Sequence, residues 1–105
     1  MENNHITDQG AQIIASSEIF KNLHILNLYR NKITDKGARA IAGSDNLSNL
    51  LEINLNFNKV GNIGAVSLAE SPHLRQLKKI ELAYNHLDRT GSEVLQKFRV
   101  SQNIK

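Results

Sequence analysis

The candidates for acid–base or metal chemistry that type and spacing single out are four histidines, His5, His24, His73 and His86, and, among ten carboxylates, the glutamates Glu52 and Glu81. Histidine titrates near neutrality and ligates metals, and two facing carboxylates can divide general-acid and general-base work. Cysteine is absent, so there is no thiolate metal site, cysteine nucleophile or disulfide framework. The "GNIG" stretch from Gly61 to Gly64 lacks the lysine and following serine or threonine of a phosphate loop. Tyr29, Arg30, Phe57 and Tyr84 suit a different chemistry, because rings and guanidinium groups offer large contact area for few lost rotamers. Which of these groups can meet depends on the elements that carry them.

Those elements repeat. The stretch "LHILNLYRNKITDKGARAIA" from Leu23 returns from Leu50 and again from Leu77 at a fixed step of 27 residues, and its second half stands earlier, from Asn4. A period of this size marks a solenoid, in which each unit buries a face that it cannot bury alone. The chain reads as one domain over residues 1–105, with a partial unit 4–22 and units 23–49, 50–76 and 77–103. The first part of each unit alternates: Leu26 and Leu28, Ile53 and Leu55, and Ile80 and Leu82 are apolar, with Asn27, Asn54 and Glu81 between them. That is the pattern of a short half-buried strand, and strands from successive units pair in parallel. The second part switches to helical spacing, with Ala38, Ile41 and Ala42 recurring as Ala65, Leu68 and Ala69.

Two columns read as structural. Gly37, Gly64 and Gly91 recur early in each helix, where a side chain would hold helix and strand apart. Asn31, Asn58 and Asn85 fall where the chain leaves the strand, and a buried amide there both donates and accepts hydrogen bonds to the turns around it.

Leucine, two residues, leucine, one, leucine, two, asparagine, one, isoleucine, then aspartate, glycine and alanine: this pattern resembles the leucine-rich repeat. The tails "GARAIA" and "GAVSLA" resemble the ribonuclease-inhibitor-like class, and they are similar to the GALA-type repeats of bacterial proteins, some of them effectors delivered into host cells. The resemblance covers Asn4 to about Gln96. It implies an α/β solenoid, a short right-handed horseshoe with parallel strands on the concave face and helices on the convex one. It also implies a scaffold whose partner is chosen by variable positions, not a catalyst. The uniform cysteine-free unit departs from the longer cysteine-rich repeat of the mammalian inhibitors, so ribonuclease inhibition is not implied.

On that scaffold the candidate partner-binding residues are Tyr29, Arg30, Asn54, Phe57, Lys79, Glu81 and Tyr84, all on or beside the strands. The competing account of the rings is that they cover the last apolar atoms of each strand end. Glu52 and Glu81 would be diagonal neighbours, but Lys79 lies directly across from Glu52, which favours an exposed ion pair over a catalytic carboxylate pair. His5 and His86 are three units apart, roughly 14 to 15 Å at strand spacing, too far for a shared metal. They share a column with Lys32 and Lys59, a basic row that would grip an acidic edge or simply form a solvated ridge.

The expectation is a protein-binding module without cofactor or enzymatic activity. Its alternatives are repeats that only brace a longer horseshoe and the substrate-recognition part of an enzyme whose catalytic domain lies elsewhere. The net charge of +3 is too small for a nucleic-acid binder, and no apolar run is long enough to span a membrane. The start "MENNHITDQG" has no export signal, which makes the cytoplasm the default, with host delivery the alternative for an effector. Neither terminal unit reads as a convincing cap, so edge-to-edge self-association is expected, and Phe98, Val100 and Ile104 are candidates to fold over the last unit.

Overall fold

The computed structural model describes residues 4–103. Its elements follow the switch from period-two to helical patterning: α1 (Asp8–Ser16), β1 (Ile25–Asn27), α2 (Asp35–Ala42), β2 (Glu52–Asn54), α3 (Asn62–Ala69), β3 (Lys79–Glu81) and α4 (Arg89–Asn103). Single turns of 3-10 helix at Glu18–Phe20 and Asp45–Leu47 lead back from α1 and α2 toward the next strand. The strands form one parallel sheet in the order β1-β2-β3, and α1 to α4 pack in the same sequence.

The register aligns equivalent residues. Leu26 pairs with Ile53 and Ile53 with Ile80, so their side chains form one buried row, while Ile25, Glu52 and Lys79 stand side by side on the open face. Leu26, Leu28, Ile33, Ile41, Leu47, Leu50, Ile53, Leu55, Val60 and Leu68 are fully buried between the layers. Each contributes about 1.5–3 kcal/mol by leaving water, and no strand of three residues would persist without that contribution.

Three columns of polar side chains bind one unit to the next. In the asparagine column, Asn58 Oδ1 accepts the Ile33 N–H at 2.9 Å, and its Nδ2 donates to the carbonyls of Leu28 and Leu55 at 2.9 and 3.0 Å. Asn31 accepts from the Asn4 and Ile6 N–H groups, and Asn85 accepts from Val60 and donates to Leu55. In a second column Ser44 Oγ donates to the Ala15 carbonyl and Ser71 Oγ to the Ala42 carbonyl, both at 2.5 Å, tying each helix end to the one before.

The third column adds a second neighbour at the glycines, a carboxylate or amide oxygen from the preceding unit. Asp35 Oδ1 accepts the backbone N–H groups of Gly61 and Gly64, at 2.6 and 2.9 Å, so a carboxylate of α2 caps the start of α3. Asp8 does the same for α2, accepting from Thr34 and Gly37, and Asn62 for α4, accepting from Asp88 and Gly91. A helix start leaves its first N–H groups unpaired and carries partial positive charge, so an anion or amide oxygen there satisfies both. Glycine is required because a Cβ at Gly37 or Gly64 would sit 2.6 or 2.7 Å from the aspartate oxygen and collide with the neighbouring helix. The close approach is therefore both to the preceding unit, through the aspartate and the alanine of its helix, and to the same unit's Ile33 or Val60, which follows the strand. At the fourth position of the column stands Arg89, which has no acceptor and instead lies 3.7 Å from Glu93.

The last unit also departs from expectation at its end. α4 runs unbroken to Asn103, so Leu95 is buried and Phe98 packs on the core, while Val100 falls on the outer face and is 45% exposed. Ile104 lies outside the described residues.

Candidate protein-binding ledge

After each strand the chain must turn sharply to place the asparagine amide under the strand carbonyls. The residue immediately before the asparagine absorbs this turn in the left-handed region: φ is 57° at Arg30, 61° at Phe57 and 58° at Tyr84. Side chains with a Cβ avoid that region at a cost of roughly 1–2 kcal/mol, and glycine or asparagine is the usual occupant. All three positions carry instead a large ring or a guanidinium group.

These side chains meet. The Phe57 and Tyr84 rings stack with centroids 4.4 Å apart and planes 11° from parallel, and Tyr29 meets Phe57 edge-on at 5.3 Å. The Arg30 guanidinium carbon lies 4.9 Å from the Phe57 ring centre and 5.5 Å from that of Tyr29. A cation over a ring and an offset stack each contribute about 0.5–1.5 kcal/mol. The result is a ledge from Arg30 through Phe57 to Tyr84, which is 74% exposed, along one end of the sheet.

The other candidates do not join it. Asn54 is half-buried, and its Oδ1 accepts the Asn56 N–H at 2.9 Å, which closes the turn after β2. Lys79 lies opposite Glu52 in the register, but its Nζ is 3.4 Å from Glu81 two residues along its own strand. The ion pair thus forms along β3, where both side chains point to one face, and not across to β2 as expected. Asn56 is committed too, accepting the Ala83 N–H at 2.7 Å.

Next to the ledge lie Lys32, Lys59 and His86, all exposed, each donating its backbone N–H to the preceding unit. Among the described residues no group of histidines and carboxylates could hold a metal, and no helix is long and apolar enough to cross a membrane. His73 pairs with Asp45 at 2.6 Å, a contact between equivalent turns that column-by-column reading of single residue types misses. At Asp88 the Asn62 amide, helped by the Thr90 N–H, holds the carboxyl below its ordinary value.

The Leucine Rich repeat family model matches residues 21–42 and 46–69, which include β1, α2, β2 and α3. A search of curated proteins finds no significant match. Two stretches of the chain therefore match leucine-rich repeats, and the structure is a short α/β repeat solenoid. Repeats of this kind are generally protein-interaction modules without catalytic activity.

Proposed function

We propose that this chain is a protein-interaction module whose partner docks on the sheet face, centred on Arg30, Phe57 and Tyr84. The observation that carries the proposal is the left-handed backbone beneath these side chains. Glycine would hold the same turn at lower cost, so backbone preference does not account for a ring or a guanidinium at every turn. Local strain of this kind concentrates at recognition sites, and rings with arginine are the residue types that dominate protein interfaces. We place the repeats in the ribonuclease-inhibitor-like class with GALA-type tails, on which reading a bacterial effector acting in a host cell is the natural setting. The test is affinity capture with the native chain and with R30A, F57A and Y84A combined. Loss of a captured protein with an unchanged circular dichroism spectrum supports the proposal, and undiminished capture counts against it.

One observation favours self-association as a second use of the same fold. Among the described residues β1 and β3 each pair on one side only, which leaves two strand edges with open backbone groups.

A further inference from the structure

Beside the ledge stand cations with no carboxylate partner among the described residues. Lys32, Lys59 and Arg30 form no ion pair among the described residues, whose three pairs are His73–Asp45, Lys79–Glu81 and Arg89–Glu93. The aspartates of the neighbouring turns direct their oxygens to other donors and pair with none of these cations. Asp8 is held by Thr34 and Gly37, Asp35 by Gly61 and Gly64, and Asp88 by Asn62 and Thr90. On the sheet itself Lys79 pairs with Glu81, and Glu52 stands opposite Lys79 in the register. The rim thus carries Arg30 and Lys32 in one unit and Lys59 in the next, about 5 Å apart from unit to unit and with no carboxylate of their own.

We infer that the rim formed by Arg30, Lys32, Lys59 and His86 with Phe57 and Tyr84 receives an extended, carboxylate-rich segment of the partner protein. This rests on the protein-binding role proposed above and names the chemistry of the partner. An extended chain advances about 3.3 Å per residue and the units lie about 5 Å apart, so a short acidic run crosses the three units and sets its carboxylates among their cations without one-to-one register. The ledge supplies the apolar floor against which such a segment excludes water. Single-stranded nucleic acid fits less well, because its bases need free ring faces to stack on. Here Phe57 is already covered by Tyr84 on one side and approached by Arg30.

The test uses the full chain and fluorescence anisotropy with three labelled probes: a glutamate-rich peptide of about twelve residues containing one tryptophan, the same peptide with lysine for glutamate, and an oligothymidylate. The glutamate peptide is expected to bind about tenfold or more tighter than the lysine peptide, and to weaken as salt rises from about 50 to about 300 mM. The double variant K32E with K59E should reverse the preference while its thermal melt stays within about 3 °C of the native chain. Equal binding of the two peptides, tighter binding of the oligothymidylate, or indifference to the charge reversal overturns the inference. If charge reversal is without effect while R30A, F57A and Y84A still abolish capture of a protein, the acidic chemistry is wrong and the protein-binding role stands.

Discussion

Gly64→Ala tests whether the solenoid is held by carboxylates that reach across units. A Cβ at this position would lie 2.6 Å from Val60 Cγ1, 2.7 Å from Asp35 Oδ1 and 3.0 Å from Ala38 Cβ. Helix propensity alone favours alanine over glycine by about 1 kcal/mol. Against this stands overpacking of about 1–3 kcal/mol, because Val60 and Ala38 are fully buried and cannot move aside freely. Displacing Asp35 weakens two charge-assisted hydrogen bonds, at 2.6 and 2.9 Å, each worth about 1.5–3 kcal/mol. The net expectation is a loss of about 2–4 kcal/mol, a fall in Tm on the order of 10–25 °C for a domain of this size. Gly43→Ala is the control: its nearest neighbour would be the Arg39 carbonyl at 3.4 Å and its φ is −92°, so alanine should leave stability unchanged or raise it by about 0.4–1 kcal/mol. Urea unfolding followed by far-UV circular dichroism measures both. Gly64→Ala within about 0.5 kcal/mol of the native chain would refute the proposed clamp.

Asn58→Ala removes an amide that accepts from Ile33 and donates to Leu28 and Leu55, so urea unfolding should show a loss of about 3 kcal/mol or more, against less than about 1 kcal/mol for Asn54→Ala. Tyr84→Gly relieves a left-handed φ of 58° but gives up a stack with Phe57. Those contributions, about 1–2 and 0.5–1.5 kcal/mol, nearly cancel once the greater unfolded-state freedom of glycine is included, so Tm should move by only a few degrees while partner capture weakens. Asn62→Ala should raise the Asp88 carboxyl toward its ordinary value, seen by NMR titration. The sign follows from the direction of the shift: a depressed carboxylate lends stability above its unfolded-state pKa that is lost as pH falls through its folded-state pKa. The Asn62→Ala variant should therefore lose less stability than the native chain on acidification through that window.

Much of the fold was legible because a fixed period translates directly into register: residues 27 apart, such as Leu26, Ile53 and Ile80, had to become one buried row. The asparagine column was readable for the same reason, since one residue type fills it throughout. The aspartate clamp was hidden because its column changes type, running Asp8, Asp35, Asn62 and Arg89, and because an aspartate at a helix start looks like an ordinary first-turn residue. Its signal was still present as an acceptor two positions before each glycine up to Gly64. The left-handed turns could not be read at all, because Arg, Phe and Tyr are residues that avoid that backbone region. Arg30, Phe57 and Tyr84 share one column in the sequence, whereas Asn54, Lys79 and Glu81 were chosen as strand residues beside it. Each instead satisfies a local partner within its own unit.

The most direct test of the ledge places a photoreactive phenylalanine analogue at Tyr84, which is 74% exposed, and separately at Ile63 on α3, which is 62% exposed. After irradiation in a lysate and purification under denaturing conditions, the account predicts a covalent adduct with a discrete protein from the Tyr84 position and none from Ile63. An adduct only from Ile63 would move the binding surface to the helical side and contradict the assignment of the ledge.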